Sequence, residues 1–251
     1  TWLARAASDL DGQARGEIGA TETFLRFASE QARRIEGEIL PSDAADEEIH
    51  IRRLPHGVVL GLTAWNYPSA LAGRKLGPAL VAGNSFVLKA HELTPLSGLA
   101  LAALAERAGI PAGVVNVVTG DGRTLGRALV DGADMVTMTG STRAGREIYA
   151  QGAQQIKILR LELGGKAPFI VMEDADIDRA VEAAVIARFT NCGQICTCNE
   201  RMYLHRAIAD EFLAKFAART GALTIGLPMT DPDLGPKVSR AEVEKVAAMT
   251  D

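Results

Sequence analysis

The pattern of apolar and polar positions along the chain changes close to residue 56. Before that point, apolar side chains recur at helical spacing in two stretches, "TWLARAASDL" at residues 1–10 and "TETFLRFASEQARRIEGEI" at residues 21–39. Phe24, Phe27 and Ile35 would lie on one face of the second helix. The acidic, proline-containing connector "LPSDAADEE" follows, so the pattern predicts two helices and then an irregular segment.

From residue 56 onward, short β-branched runs alternate with alanine-rich segments of helical character. In order, the runs are "HGVVLGLTA", "NSFVLKA", "GVVNVVTG", "ADMVTMTG", "IKILRLEL" and "PFIVME". These runs are apolar throughout instead of alternating, as expected for parallel strands covered by helices on both faces. We therefore predict an α/β fold with a doubly wound parallel sheet, in which functional side chains follow the carboxyl ends of the strands.

Composition and charge limit the kinds of molecule that the protein is expected to bind. The chain has 251 residues, 47% apolar and 23% charged, which describes a globular protein able to bury a core. Its net charge of −4 comes without long runs of one sign, so we expect no nucleic-acid or membrane partner. All three cysteines lie in "NCGQICTCNE", residues 191–200, which favours a reduced cytoplasmic protein over a disulfide framework.

Polar residues follow the first two predicted strands. Asn66, in "TAWNYP", would either stabilise a turn or direct an amide donor into a cleft. Lys89 and Glu92, in "VLKAHELTP", would either form a solvated ion pair or contact a ligand at the topological switch point. The residues alone leave both alternatives open.

Two later strands also end in residues of chemical interest. "MTGSTRAG" places Gly140, Ser141 and Gly145 where a strand would meet a helix, and such a helix amino terminus can bind phosphate. Its spacing is neither that of the P-loop nor the usual dinucleotide fingerprint. In "LELGGKAP", Glu162 ends an apolar strand, so we expect its carboxylate to meet a partner or to face a cavity with a raised pKa.

The cysteine cluster admits three interpretations. A zinc site needs about four ligands, and the spacing C-x-x-x-C-x-C with a distant His205 fits no common structural site, so we predict no metal. Burial as a small apolar residue suits Cys192. A nucleophile would need an accessible thiolate, which the glycine-containing loop "GQICTC" permits.

Five of these motifs, "WNYP", "LKAHE", "TGSTRAG", "LELGGKAP" and "NCGQICTC", occur in the order found in the NAD(P)-dependent aldehyde dehydrogenase superfamily. The chain resembles that superfamily over essentially its whole length. The resemblance implies a thiol enzyme whose nucleophile is Cys196, with Cys192 and Cys198 outside that role. It further implies that the Asn66 amide and the Cys196 backbone N–H stabilise an oxyanion, and that Glu162 activates the hydrolytic water.

The resemblance also implies where the coenzyme binds. The matching positions are Trp65, Lys89, Glu92, Gly140, Ser141 and Gly145. A carboxylate at Glu92 accepts hydrogen bonds from a ribose 2′-hydroxyl but repels a 2′-phosphate, so NAD is expected to be preferred over NADP. Glu162 favours hydrolysis of the thioester over transfer to coenzyme A.

The position of Arg74 in "GRKLGPAL" matches the wall of the family's substrate tunnel. A guanidinium there favours short polar aldehydes, while the alternative is an ordinary surface arginine. Lactaldehyde and glycolaldehyde dehydrogenases are one similar subfamily, and succinate-semialdehyde dehydrogenases are the other. Thr190 stands where succinate-semialdehyde dehydrogenases usually carry a basic residue, which favours a 2-hydroxyaldehyde as substrate. Thr197 argues against this, because it replaces an asparagine associated with lactaldehyde dehydrogenases.

The resemblance also assigns domains. Residues 1–36 and 56–164 would form the NAD-binding domain, 37–55 the start of an oligomerisation hairpin, and 165–251 part of a catalytic domain. Judged against the family's length, the chain is expected to be a fragment that is inactive alone, and the full-length protein a dimer or tetramer of identical subunits.

Two other functions stay open, a catalytically silent scaffold and a thiol esterase without a coenzyme. Ala64 stands where the family usually has proline, which would loosen the loop that holds Asn66.

Overall fold

The computed structural model of the protein describes residues 11–230 and 232–250. The helix predicted for residues 1–10 lies outside the described residues. The chain folds as two compact units, one of Glu17–Glu162 and one that contains the residues from Leu163 onward together with the residues up to Gly16.

The first described helix, α1 (Asp11–Glu30), ends earlier than the sequence pattern predicted. The predicted helix ran to residue 39, but Ile35 lies beyond the helix and Phe27 is 63% exposed. The buried face instead carries Glu17, Thr21 and Ala28. The pattern of large apolar residues was therefore wrong about both the end of this helix and its packed face.

An antiparallel hairpin follows α1. It consists of β1 (Glu38–Pro41) and β2 (Glu48–Ile51), and Glu38 pairs with Ile51 at its open end. Every residue of both strands is exposed. The connector predicted as irregular, residues 40–48, thus contains the end of the first strand, the turn and the first residue of the second strand of a hairpin.

The unit Glu17–Glu162 is built around a five-stranded parallel sheet, which confirms the predicted doubly wound α/β fold. Its strands are β3 (Val58–Leu62), β4 (Ser85–Lys89), β5 (Val115–Val118), β6 (Met135–Thr139) and β7 (Ile158–Glu162). The helices between them are α2 (Pro68–Val81), α3 (Leu96–Arg107), α4 (Gly122–Asp131) and α5 (Thr142–Ala153). In space the strands run in the order β5-β4-β3-β6-β7.

This sheet is buried on both faces, as its uninterrupted apolar strands require. Val59 on one face packs with Phe86 and with Leu76 of α2. The next residue, Leu60, points to the opposite face and packs with Val130 of α4 and Val136. Because the chain proceeds from β3 outward to β5 and then returns to β6, the topological switch point lies between β3 and β6.

Among its described residues from Leu163 onward, the second unit contains a parallel pair of strands and three α-helices. The strands are β8 (Ala167–Val171) and β9 (Asn199–Leu204), and the helices are α6 (Ile177–Phe189), α7 (Ala209–Gly221) and α8 (Arg240–Thr250). Val171, Val181 and Phe212 form the centre of its core. Within the described residues, no helix combines the length and apolarity that a membrane crossing requires.

Candidate active site

The loop that carries Asn66 begins where β3 ends and finishes at the first residue of α2. Pro68 occupies the first turn of α2, where its fixed φ suits a helix start and its missing N–H costs nothing. The hydroxyl of Thr94 donates to the carbonyl oxygen of Trp65 at 3.2 Å, which fixes the loop to the segment after β4. Trp65 and Asn66 are both half-buried. The loop therefore holds both residues at the carboxyl end of β3, beside the switch point.

Lys89 and Glu92 form an ion pair at the end of β4. The lysine is only 6% exposed, and its Nζ lies 2.6 Å from the Oε2 of Glu92. Burial opposes ionisation of Glu92, but hydrogen bonding to Lys89, together with the nearby His91, lowers the pKa of that carboxyl below its usual value. The pair is thus partly buried, unlike the fully solvated pair that was the alternative.

Gly140, Ser141 and Gly145 form the junction between β6 and α5. Ser141 is the N-cap of the helix, and its hydroxyl accepts a hydrogen bond from Ala144 N at 3.2 Å. The amino end of α5 therefore points its remaining N–H groups and its positive dipole end toward the carboxyl edge of the sheet. Together with the ammonium of Lys89 and the carboxylate of Glu92, the amino terminus of this 12-residue helix provides a donor and acceptor set that fits a dinucleotide.

Glu162 ends β7 and pairs in register with Thr139 of β6. The carbonyl oxygen of Glu162 accepts from Gly140 N at 3.0 Å, so its backbone is tied to the β6–α5 junction. Its side chain is exposed, in contrast to the expectation that it would be buried against a partner or face a cavity. Glu162 is the last residue of β7, so its side chain lies at the carboxyl edge of the sheet and outside the packed core.

Arg74 and Lys75 are neighbours in α2 with opposite environments. Arg74 is exposed, and its guanidinium carbon lies 5.1 Å from the centre of the Phe24 ring, a cation–π contact. Lys75 is buried and donates from Nζ to the Oγ1 of Thr139 at 2.8 Å. A substrate role for Arg74 stays a prediction.

In the second unit, the cysteine loop follows α6 in a strained backbone conformation. Asn191 and Cys192 have φ values of 49° and 57°, and Gly193 follows at 72°. Consecutive left-handed residues other than glycine cost about 1–2 kcal/mol each. Such a conformation persists only where surrounding contacts enforce it.

Three hydrogen bonds from residues 235–238 hold this loop. Lys237 donates from Nζ to the Cys192 carbonyl oxygen at 2.9 Å, and Val238 N donates to Gln194 Oε1 at 2.9 Å. The backbone N–H of Gly235 points to the Cys192 sulfur at 3.1 Å. These contacts stabilise the turn that precedes Cys196.

The three thiols occupy different environments. Cys196 is exposed, as a nucleophile requires, and Cys192 is half-buried. Cys198 is the buried one, at 4% exposure, where burial raises the pKa of its thiol; its sulfur lies 3.5 Å from the carbonyl oxygen of Arg188. The prediction that Cys192 would take the buried structural role was therefore wrong. Among residues 11–230 and 232–250, no group of three or more His, Cys, Asp or Glu side chains could hold a metal ion.

Sequence reasoning missed three charged residues that make long-range contacts in the fold. Lys75 and Glu17 are charged side chains on the buried faces of amphipathic helices, and a helical-wheel analysis would have found both. Lys237 contacts the cysteine loop from 45 positions away, and no local pattern indicates that contact.

Comparison with known proteins identifies close relatives. A protein named 3,6-anhydro-alpha-L-galactose dehydrogenase from Vibrio sp. strain EJY3 is 51% identical over 240 residues, covering 94% of this chain and 50% of that protein. Succinate-semialdehyde dehydrogenase, NADP(+), from Escherichia coli strain K12 is 43% identical over 237 residues, covering 93% of this chain and 49% of that protein. The chain thus spans about half the length of the curated relatives it matches.

Solved structures of dehydrogenases also superpose closely on this chain. The structure of 3,6-anhydro-L-galactose dehydrogenase in complex with NAP superposes with a TM-score of 0.93 at 53% identity, covering 97% of this chain and 52% of that one. Lactaldehyde dehydrogenase from Escherichia coli superposes with a TM-score of 0.95 at 39% identity, covering 98% of this chain and 53% of that one. The sequence profile of the aldehyde dehydrogenase family matches residues 1–251. The chain belongs to the aldehyde dehydrogenase family.

Proposed function

We propose that the full-length protein oxidises a short, polar 2-hydroxyaldehyde to the carboxylic acid with NAD or NADP as the oxidant. The exposed thiol of Cys196, in a loop whose neighbouring Cys198 is buried, is the observation that carries this proposal. Family membership supports the oxidoreductase chemistry. The unit Glu17–Glu162 would bind the coenzyme, and the unit that contains Cys196 would supply the nucleophile.

In the proposed reaction, the Cys196 thiolate adds to the carbonyl carbon, so that a C–S bond forms and the carbonyl π electrons move to oxygen. The resulting alkoxide is stabilised by the Asn66 amide and the Cys196 backbone N–H. When bound, NAD(P) would supply the acceptor for the hydride; its loss from this carbon re-forms the carbonyl and leaves a thioester on Cys196. Glu162 then takes a proton from water, which attacks the thioester and releases the carboxylic acid and the thiolate.

Lys89, Glu92 and the Gly140–Gly145 junction would hold the coenzyme, with Trp65 beside them. The ion pair with Lys89 partly neutralises Glu92, so the carboxylate repels a 2′-phosphate less strongly than an isolated one. We therefore propose that NAD is preferred and NADP is also used. The NAP complex of a 53% identical relative supports this second coenzyme.

The choice of substrate rests on two arguments. Arg74 presents an exposed guanidinium that can donate to hydroxyl or carboxylate oxygens. The aldehydes named for the anhydrogalactose and lactaldehyde relatives share a hydroxyl on the carbon next to the carbonyl. Succinate semialdehyde lacks that hydroxyl and is the second candidate, favoured by the 43% identical relative.

Reduction of NAD and NADP by the full-length enzyme tests the proposal. The aldehydes to compare are 3,6-anhydro-L-galactose, lactaldehyde, glycolaldehyde, succinate semialdehyde and one long-chain aldehyde. We expect the highest kcat/KM with one of the first three and a loss on the order of 10³-fold or more in Cys196→Ser. A higher kcat/KM with succinate semialdehyde would overturn the substrate assignment. Full activity of Cys196→Ser would overturn the mechanism, and ester hydrolysis without nicotinamide reduction would indicate the thiol esterase.

A further inference from the structure

The amino end of α2 is capped by a carboxylate that belongs to a different helix. Tyr67 is the N-cap residue of α2, and its side chain does not cap the helix. Instead Glu17 of α1 accepts hydrogen bonds at Oε1 from Ser69 N at 2.6 Å and from Ala70 N at 2.9 Å. These N–H groups occupy the second and third helical positions, which a local N-cap side chain would normally satisfy. A residue 52 positions earlier therefore performs the capping function.

Burial prevents water from taking the place of the Glu17 carboxylate in this cap. Glu17 is 2% exposed, and Ser69 and Ala70 are buried, so water cannot replace the carboxylate as their acceptor. An unsatisfied buried N–H carries its full desolvation cost. The Thr21 hydroxyl lies 3.0 Å from that of Ser69 and adds a second polar link one turn further along α1.

The two helices also approach each other closely. A Cβ at Gly73 would lie 2.8 Å from the Cγ2 of Thr21, and a Cβ at Gly77 would lie 2.8 Å from the Cβ of Ala28. Glycines four residues apart on α2 thus create the groove into which α1 fits. Because this contact fixes the axis of α2 and Glu17 fixes its first turn, the start of α2 has little freedom to move.

Asn66 lies only three residues before Ser69, in the loop that enters α2. We infer that Glu17 is a positioning residue for Asn66: by capping Ser69 and Ala70 it fixes the start of α2 and thereby the orientation of the Asn66 amide. The inference rests on the proposed function, in which Asn66 stabilises the oxyanion. A small displacement of an oxyanion donor lowers the rate without abolishing substrate binding.

A double-mutant cycle between Glu17 and Asn66 in the full-length enzyme tests this role. We expect Glu17→Ala to lower kcat about tenfold with saturating coenzyme and aldehyde, because the two N–H groups lose their acceptor. In the Asn66→Ala background the same change should cost less than about twofold, since the donor that it positions is already gone. Glu17→Gln, whose amide oxygen still accepts both hydrogen bonds, should retain kcat within about twofold.

The controls separate positioning from stability. Glu22→Ala changes an exposed glutamate of the same helix and should leave kcat unchanged. If Glu17→Ala does not fold, Glu17→Asp replaces it in the cycle, because it keeps the charge but shortens the reach by one methylene. Assays well below each variant's melting temperature keep the unfolded fraction negligible.

The outcomes distinguish the two levels of proposal. If Asn66→Ala has wild-type kcat, the proposed role of Asn66 is overturned, and the inference with it. If Asn66→Ala lowers kcat but the Glu17 variant lowers it by the same factor in both backgrounds, or only lowers the melting temperature, the inference alone is overturned.

Discussion

Lys75 of α2 donates a hydrogen bond from Nζ to the Oγ1 of Thr139, at the carboxyl end of β6, although the lysine is only 8% exposed. Burial, with a smaller contribution from the neighbouring charge of Arg74, lowers the pKa of Lys75 from 10.5 to about 8; the charge of Glu162 acts in the opposite direction. A lysine with a lowered pKa holds its proton less tightly in the folded than in the unfolded chain. The buried ammonium therefore destabilises the fold below about pH 8, and this penalty disappears as the pH rises from 8 to 10.5.

Lys75→Met is expected to raise the free energy of unfolding at pH 7. The fall of the pKa from 10.5 to about 8 corresponds to a penalty of about 3 kcal/mol, and loss of the Thr139 hydrogen bond returns about 1 kcal/mol. We expect a gain of about 2 kcal/mol at pH 7 that is absent by about pH 10, measured by urea unfolding of both proteins. Lys166→Met is the matched control, because that lysine side chain is 67% exposed. A gain that does not change with pH would contradict the assignment.

The central sheet was predictable from the sequence because both of its faces are buried. Val59 and Leu60 pack on opposite faces, so the sequence of β3 is an unbroken apolar run, as expected for a parallel strand covered on both faces. The end of α1 was not predictable by the same logic. Its packed face carries Glu17 and Thr21, whose burial depends on partners in α2 that lie far away in the sequence.

In the candidate site too, features set by nearby residues could be predicted from the sequence, and features set by distant residues could not. The exposed Cys196 follows from a glycine-containing loop, which local sequence displays. The left-handed conformation of Asn191 and Cys192 cannot be predicted from local sequence, because contacts from Lys237 and its neighbours enforce it. Inspection of the sequence motifs identified Arg74 as a candidate substrate-binding residue. Its buried neighbour Lys75 could have been identified only from its position on the apolar face of α2.

Thiol labelling should separate Cys196 from Cys198. Cys196 is exposed, whereas Cys198 is buried and burial raises the pKa of its thiol, so less of it is ionised near neutral pH. We expect iodoacetamide to modify Cys196 about 100-fold faster in the native protein, measured by mass spectrometry of the peptides. In urea the two rates should become similar. Equal rates in the native protein would show that Cys198 is accessible.

Lys237→Met is expected to weaken the cysteine loop. The substitution removes the donor to the Cys192 carbonyl oxygen, so the strained residues Asn191 and Cys192 lose one of the contacts that enforce their conformation. A lost hydrogen bond from a charged group costs about 1.5–3 kcal/mol, which predicts a lower melting temperature and about tenfold lower kcat in the full-length enzyme. Lys245→Met, at an exposed lysine of α8, should change neither quantity. Unchanged kcat in Lys237→Met would show that the loop keeps its conformation without this contact.

The proposed preference for NAD over NADP should depend on the charge of Glu92. Its carboxylate lies 2.6 Å from Lys89, and removing the negative charge while keeping the side-chain length leaves that ammonium available to a 2′-phosphate. Glu92→Gln is therefore expected to raise the ratio of kcat/KM for NADP to that for NAD about tenfold, measured with one aldehyde at saturation. The shift should shrink at high ionic strength, because the side chain of Glu92 is 41% exposed and salt screens such charges. Glu106→Gln, at an exposed glutamate near the end of α3, is the matched control and should leave the ratio unchanged. An unchanged ratio in Glu92→Gln would mean that the ion pair already cancels the repulsion, and discrimination between the coenzymes would then have to come from residues other than Glu92.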